Sequence, residues 1–276
     1  MTESPASLRF REMAARPDAA VDLAEASLLI AGEEYPDLEP DRYLARLDEL
    51  GAALRARAGG GFEARLSALN RLLFEEEGFH GNTEDYYDPR NSFLNDVLDR
   101  RTGIPISLCT VYMEVARRAG LELEGVGLPG HFVVRVASRA TPLLLDPFHG
   151  GSVLTLEECQ RRLDRIYSGR LRLEPAMLTP CRRKAILARM LRNLKGIYVK
   201  AADYLRALRA VEMLRTLDPD DAEELRDRGV LYAALECYAA AATDLEGYLA
   251  RRPRCAEGPQ LAAKIAELRS RAARVN

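Results

Sequence analysis

The stretch Gly103–Val136, GIPISLCTVYMEVARRAGLELEGVGLPGHFVVRV, changes from helical to strand patterning and thereby decides the fold. In its first half, apolar residues recur at i, i+3, i+4, i+7, i+8 and i+11, the spacing of one buried helix face. The residues on this face are Leu108, Val111, Tyr112, Val115, Ala116 and Ala119. Ser107 can cap the helix, and Gly120 supplies its stop. The second half predicts the short strands LEGVG and HFVVRV, and a third strand, LLLD, follows the turn ASRATP.

Three residue types that together perform thiol catalysis lie in and just after this stretch. Cys109 lies two residues after Ser107, in the first predicted helical turn, where backbone N–H groups and the helix dipole favour a thiolate. It lies about 100° from the predicted buried stripe, so we expect it at the flank of that stripe and not enclosed. His131 begins the second strand, and Asp146 ends the third.

The second and third strands predict a hairpin that brings His131 and Asp146 together. If Val136 pairs with Thr141, His131 lies directly opposite Asp146, with Cβ atoms about 5 Å apart. Cys109 is then the predicted nucleophile, His131 the base that takes its proton, and Asp146 the residue that fixes the tautomer. The backbone N–H of Cys109 is a candidate donor to an oxyanion.

Each of these residues also has a purely structural interpretation. A lone helical cysteine is most often a small core residue, a histidine after Pro129-Gly130 can be a turn residue, and an aspartate before proline commonly ends a strand. His149, three residues past Asp146, can bind a metal or assist, but three histidines without an H-E-x-x-H spacing make a metal centre unexpected. His80 is expected to be exposed. The sequence contains no P-loop and no GxGxxG, so no cofactor is predicted.

The first hundred residues are predicted to be helical. The predicted helices, each ended by glycine, cover residues 18–31, 40–58 and 62–77. Asn91 can cap a fourth helix, SFLNDVLDRR, after the polar, turn-rich loop GFHGNTEDYYDPR. A further helix is predicted from Thr155 to about Tyr167. Residues 1–180 are therefore predicted to form one domain, with a helical N-terminal part at 1–101 and a core at 102–180.

From Pro180 onward the sequence contains an internal repeat with a period of 34 residues. Leu191, Tyr198, Ala207, Val211, Leu214 and Pro219 recur as Leu225, Tyr232, Ala241, Leu245, Tyr248 and Pro253. This is the pattern of tetratricopeptide repeats, in which two helices cross at a small residue. Gly229 fits the pattern, whereas its counterpart Lys195 departs from it. Residues 181–276 are therefore predicted to contain repeats at 188–221 and 222–255, followed by a capping helix.

The composition is that of a soluble globular protein, with 47% hydrophobic and 30% charged residues. We find no apolar signal segment at the start and no run of ~20 apolar residues, so a cytosolic protein is expected. Five scattered cysteines without a CxxC predict free thiols.

The segment Arg161–Lys200 is strongly basic, with twelve Lys and Arg against two acidic residues. Nucleic-acid binding and the solvated faces of amphipathic helices both explain this charge, and the interleaved apolar residues favour the second.

Four longer stretches carry a family resemblance. They are DYYDPRNSFLNDVLDRRTGIPISL (85–108), TVYMEVARRAGL (110–121), EGVGLPGHFVVRV (124–136) and LLLDPFHGG (143–151). They resemble the SirB-type bacterial family, in which a transglutaminase-like core domain precedes tetratricopeptide repeats, and the resemblance covers nearly the whole chain. It implies an α+β fold: a mostly helical, papain-related core with a small antiparallel sheet, followed by an all-α tetratricopeptide region. It also implies that the cysteine, histidine and aspartate of the superfamily correspond to Cys109, His131 and Asp146.

Two classes of function follow from these patterns. The first is Cys109-based acyl transfer or amide hydrolysis on a peptide-like substrate. The second is a non-catalytic scaffold or regulatory protein whose helical repeats bind a protein or peptide partner. Nucleic-acid binding through Arg161–Lys200 is a weaker third hypothesis, and neither a membrane partner nor a metal or nucleotide cofactor is expected.

Overall fold

The computed structural model describes residues 4–57, 59–137 and 143–275. Within these ranges the chain forms twelve α-helices and six short β-strands. The helices are α1 (Pro5–Ala14), α2 (Leu23–Gly32), α3 (Pro40–Arg57), α4 (Phe62–Asn70), α5 (Leu94–Arg100), α6 (Pro105–Arg118), α7 (Leu156–Tyr167), α8 (Arg183–Lys200), α9 (Tyr204–Leu217), α10 (Ala222–Ala234), α11 (Tyr238–Arg251) and α12 (Gly258–Val275). The strands are β1 (His80–Gly81), β2 (Thr102–Gly103), β3 (Leu123–Val126), β4 (Val133–Val136), β5 (Leu144–Asp146) and β6 (Ser152–Leu154). None of the described helices is long and apolar enough to cross a membrane.

The helical prediction for the N-terminal part is confirmed, with two local corrections. The first predicted helix begins later, because the side chain of Asp22 accepts a hydrogen bond from Glu25 N and caps α2. Asn91 does not cap α5, which begins at Leu94. The Asn91 side chain is buried instead and donates to the backbone oxygen of Asp85 at 2.7 Å, so it stabilises the preceding loop.

Two compact units divide the chain. The first contains the residues up to Arg9 and Arg16–Met190, and the second contains Phe10–Ala15 and the residues from Leu191 onward. The boundary predicted at residue 180 stays a prediction.

In the first unit, strands β3, β4, β5 and β6 form an antiparallel sheet in that order, while β1 and β2 form a separate parallel pair. Helix α6 packs against α3, β3 and β4, and nearly all its residues are buried. The sheet residues share a core with α7 and the segment before α8. This core consists of Val126, Leu128, Val133, Leu144, Leu154, Cys159 and Leu178. The fold therefore places the first half of α6, the start of β4 and the end of β5 close together.

The second unit confirms the predicted tetratricopeptide region. From Leu191 onward, the end of α8 and all of α9 lie in the first predicted repeat, α10 and α11 lie in the second, and α12 lies in the predicted capping region. The close packing of α10 and α11 explains why the repeat has a glycine at position 229. A Cβ added to Gly229 would lie 2.9 Å from Leu245 Cγ, so only glycine lets the two helices approach this closely. Lys195, which replaces this glycine in the first repeat, forms ion pairs with Glu224 and Asp227 at 2.7 Å each.

Candidate functional site around Asp146

Asp146 is the centre of a buried polar cluster at the end of β5. Its carboxylate is 0% exposed, and one oxygen, Oδ2, takes three contacts. His131 Nε2 lies at 3.0 Å, His149 Nδ1 at 2.8 Å and an Arg162 guanidinium nitrogen at 2.6 Å. The second oxygen, Oδ1, accepts a hydrogen bond from Phe148 N at 3.2 Å. The carboxylate is therefore paired on both oxygens.

The pKa of Asp146 follows from these partners. Burial alone would raise it, because a carboxylate loses its hydration. The hydrogen bond with His131 and the positive charges of His131, Arg162 and His149 outweigh burial and lower the pKa to about 2. Asp146 is thus ionised at neutral pH and acts as a fixed negative charge beneath the two imidazoles.

The contact between His131 and Asp146 was predicted, but the strand register behind the prediction was wrong. In β4 and β5, Val134 pairs with Leu145, two positions away from the predicted alignment; Thr141 lies outside the described residues. A shift of two residues keeps every side chain on its predicted face, because successive strand residues alternate. His131 therefore reaches Asp146 diagonally across the sheet face instead of directly opposite.

Arg189 of α8 stabilises the loop that precedes β4 and contains His131. Its guanidinium donates to Leu128 O at 2.8 Å and to His131 O at 2.7 Å, and it lies 5.5 Å from the centroid of the Phe132 ring. Gly130 has φ +72, a left-handed conformation that few residues other than glycine adopt. The backbone of the loop is thus fixed on both sides of the imidazole. The sequence interpretation missed Arg189, which belongs to a basic stretch that was expected to be solvated.

Cys109 does not lie in the first turn of its helix, contrary to the prediction. Ile104 is the N-cap residue of α6 and Pro105 occupies the first helical position, so Ser107 is the third residue and not the cap. The Ser107 hydroxyl accepts from Ile104 N and donates to Asn91 O at 2.6 Å. Since Leu108 N already donates to Ile104 O, the free N–H groups of α6 end before Cys109. Cys109 N is therefore not available as an oxyanion donor.

The thiol of Cys109 is enclosed, which corrects the expectation of a reactive thiolate at the flank of the helix. Its exposure is 0%, and Sγ donates to Phe132 O at 3.5 Å. Burial raises the pKa of Cys109 well above its ordinary value, the negative charge of Asp146 raises it further, and the Arg189 charge opposes both. The hydrogen bonds of the described residues include none between Cys109 and His131. The structure therefore brings His131 and Asp146 together and leaves the thiol outside their hydrogen-bond network.

Arg162 competes with Asp146 for the same imidazole nitrogen. An Arg162 guanidinium nitrogen lies 2.8 Å from His131 Nε2 and 2.6 Å from Asp146 Oδ2. A guanidinium only donates, so Nε2 must be unprotonated to receive Arg162 but protonated to donate to Asp146. The two contacts are alternatives, and Arg162 therefore affects which tautomer His131 adopts. Arg162 was not predicted, although its position three residues after the buried Cys159 places both on one face of α7.

A pocket of about 340 Å³ opens beside this cluster. The residues that line it are Tyr86, Pro105, Gly130, His131, Phe148, His149, Arg162, Arg165 and Ile166. The side chain of His131 is largely covered, whereas that of His149 is 52% exposed. The third histidine, His80, is exposed as predicted and lies in β1. The pocket thus presents two imidazoles, aromatic rings and an apolar wall.

The ligand atoms of His131, Asp146 and His149 lie within 4.8 Å of one another, close enough to hold a metal ion. Zn²⁺ would require ligand distances near ~2.1 Å. The Arg162 nitrogen lies within 2.6 to 2.8 Å of two of these ligand atoms and so occupies the space that a cation would need. The residues present therefore fit an internal guanidinium better than a metal ion.

Two known protein families match this chain in sequence. The sequence profile of the transglutaminase-like superfamily matches residues 41–192, and that of the tetratricopeptide repeat matches residues 194–272. The chain therefore belongs to the transglutaminase-like superfamily and carries tetratricopeptide repeats.

Whole-length relatives define the narrower family. A UPF0162 protein of Xylella fastidiosa (strain 9a5c) is 39% identical over 249 residues, which cover 88% of this chain and 89% of that protein. A second, from Pseudomonas aeruginosa, is 36% identical and covers 89% and 90% of the two chains. The chain accordingly belongs to the UPF0162 family, while the SirB-type name stays a prediction. F-box only protein 21 of Homo sapiens is 39% identical over 103 residues, which cover 34% of this chain and 16% of that protein. No solved structure matches the chain significantly.

Proposed function

We propose that this protein is a binding protein that does not use thiol chemistry. Its transglutaminase-like unit accepts a peptide-like ligand in the pocket beside His131, and its tetratricopeptide unit binds a protein partner. The observation that carries this proposal is the enclosure of Cys109, whose thiol is 0% exposed and bonded to a backbone carbonyl.

A nucleophilic cysteine needs surroundings that Cys109 lacks. The attacking species is the thiolate, which requires a lowered pKa and access to the substrate. Burial and the charge of Asp146 instead raise the pKa of Cys109. The hydrogen bonds of the described residues join Cys109 Sγ to Phe132 O and not to His131, and the free N–H groups of α6 precede the cysteine. Cys109 therefore has neither a lowered pKa nor access to a substrate, and within the described residues no base is bonded to its thiol.

The cluster is well suited to binding. Asp146 holds His131 and His149 in fixed orientations, and both imidazoles line the pocket together with aromatic and apolar side chains. An apolar pocket with a few convergent polar groups is the usual form of a small-ligand site. Imidazole and guanidinium groups can bond to amide or carboxylate oxygens, which supports a peptide-like ligand.

A second candidate is thiol acyl transfer or amide hydrolysis with Cys109 as nucleophile, His131 as base and Asp146 as orienting carboxylate. Two observations favour it: the 3.0 Å hydrogen bond between His131 and Asp146, and the contact of Cys109 Sγ with the backbone of Phe132, the residue next to His131. For this chemistry the thiol must become exposed and His131 must turn its second nitrogen toward it.

The two candidates differ in the accessibility of Cys109, which alkylation measures directly. Native protein is treated with iodoacetamide, and the modified fraction of each cysteine is followed over time by mass spectrometry. Cys237, which is exposed, is the internal standard. We expect Cys109 to react roughly 100-fold or more slowly than Cys237, because reaction requires local opening, and to react at a similar rate in urea. Alkylation of native Cys109 as fast as Cys237 would refute the proposal and favour the enzyme.

We further propose that the second unit binds a partner through its helical repeats. Tetratricopeptide repeats present concave helical surfaces, which supports a protein or peptide partner for the second unit. Nucleic-acid binding gains no support from Arg162 and Arg189 of the basic stretch, because both are engaged within the first unit. A cytosolic location stays a prediction.

A further inference from the structure

Four aromatic rings line one side of the pocket beside His131. The Phe148 ring is central: its centroid lies 6.3 Å from that of Tyr86, 6.2 Å from that of His131 and 5.1 Å from that of His149, all at steep angles. These edge-to-face arrangements are favourable between aromatic rings. Together the rings form a surface against which a further planar ring can pack.

Two glycines fix the apolar walls of the pocket. An added Cβ at Gly81 would lie 2.6 Å from the Phe148 ring, and one at Gly130 would lie 2.6 Å from Ile166 Cδ1. Phe148 and Ile166 therefore pack directly on backbone that carries no side chain. Ile166 lines the pocket and is 51% exposed, so its outer face is accessible to a ligand.

The two arginines of the pocket differ in availability. Arg162 is engaged by Asp146 and is only 20% exposed. Arg165, almost one turn further along α7, lines the same pocket and is exposed. Among the residues that the structure describes, it has no ion-pair partner. Arg165 is therefore the cation that can take an incoming carboxylate, for which the guanidinium geometry is well matched.

We infer that the pocket binds an aromatic residue that carries a free carboxylate, as at the C-terminus of a peptide or protein chain. This inference rests on the proposed binding role of the same pocket and names its ligand class. A volume of about 340 Å³ is near the lower end of ligand pockets, so it accepts one residue and not an extended segment. The ring packs against Phe148 and Tyr86, and the carboxylate binds Arg165.

The charge of the site favours a chain terminus over a free amino acid. Within the described part of the chain, the residues that line the pocket include no acidic side chain, and Asp146 behind them is buried and fully paired. A free α-ammonium would thus lie near Arg162 and Arg165, and none of the described residues that line the pocket is an acid that could pair with it. An acylated nitrogen, as in a peptide, removes this repulsion.

The protein contains no Trp, so a tryptophan probe is observed without background. The fluorescence anisotropy of N-acetyl-tryptophan, N-acetyl-tryptophanamide and free tryptophan is titrated with the full chain at neutral pH. We expect N-acetyl-tryptophan to bind about 10-fold or more tightly than its amide, because the amide loses a charge-assisted hydrogen bond. Free tryptophan should bind more weakly than the acetylated acid.

Two variants on the same helix separate the role of Arg165 from general charge. Arg165→Gln should reduce the affinity for N-acetyl-tryptophan to that for the amide, and Arg161→Gln, also exposed but outside the pocket, should leave it unchanged. Equal affinity for acid and amide, no binding of the acid at about 1 mM, or an equal loss in both variants overturns the inference. Cys109 alkylation in the same samples reports separately on the proposed function, so the two can fail independently.

Discussion

The Cys109 thiol and the Asp146 cluster lie next to one another but differ in their exposure to the pocket. The thiol bonds to the carbonyl of Phe132, and His131 precedes that residue in the chain. Yet Cys109 is fully enclosed, whereas His149 of the cluster is 52% exposed beside the pocket. A transglutaminase-like fold can therefore contain a cysteine, a histidine and an aspartate close together while the cysteine stays enclosed.

The largest effect is expected when a charge replaces the thiol. Cys109→Asp should lower the free energy of unfolding by about 4 kcal/mol or more, because an unpaired carboxylate would be buried at a fully enclosed position close to the negative charge of Asp146. The matched variant Cys237→Asp, at an exposed position, should change it by less than about 0.5 kcal/mol. Urea unfolding measures both. Similar stability of the two variants would mean that water reaches Cys109.

The next effect concerns the loop before β4, which carries His131. Arg189→Met should lower the free energy of unfolding by about 3 kcal/mol, because the carbonyls of Leu128 and His131 lose charge-assisted hydrogen bonds. The amide of His131, which donates to Leu128 O, should then exchange faster with solvent. Arg182→Met, at an exposed position, is the control. Unchanged exchange at His131 would show that Arg189 does not hold the loop.

The cluster itself should give stability that depends on pH. The folded-state pKa of Asp146 is lowered to about 2, below its usual value of 3.8. The stabilisation is therefore complete above about pH 4 and is lost as the pH falls toward 2. The difference amounts to about 2 kcal/mol. Wild type should lose this much more stability than Asp146→Asn between pH 5 and pH 2, measured by urea unfolding. Parallel pH profiles would contradict the charge pairing of Asp146.

The smallest expected effect is on Zn²⁺ affinity, which should change if the Arg162 guanidinium occupies the place of a metal ion. Arg162→Gln should bind Zn²⁺ about tenfold more tightly than wild type, because His131, Asp146 and His149 then become free to coordinate it. Competition with a chromophoric chelator measures the affinity, and Arg161→Gln serves as the matched control. Equal Zn²⁺ affinity in wild type and Arg162→Gln would show that the guanidinium does not compete with metal.

The sequence predicted the features that depend on local or periodic patterns. The 34-residue repeat marked the tetratricopeptide helices because each repeat buries the same positions, as Ala207 and Ala241 show. Pro40 and Phe62 marked the starts of α3 and α4, because proline is favoured in the first helical turn and the glycines before Phe62 interrupt a helix. The short strands β1, β2 and β6 were missed, because two or three residues without a run of apolar side chains do not distinguish a strand from a turn.

The site was predictable in part, for a physical reason. The His131–Asp146 contact survived a wrong register because a shift of two residues preserves the strand face. The predicted environment of Cys109 was wrong, because the helix cap is Ile104 and not Ser107. Cys109 therefore lies beyond the free N–H groups of the first turn. Arg162 and Arg189 were missed because they join the site from distant helices, and periodicity does not report such contacts.

The most direct test of the central claim is the pH dependence of Cys109 alkylation in wild type and in His131→Ala. We predict slow alkylation whose half-point lies above the ~8.5 of a free thiol and does not change when the imidazole is removed, because the thiol is enclosed and not bonded to His131. A half-point well below ~8.5 that rises in His131→Ala would contradict the account and would identify an activated Cys109–His131 pair.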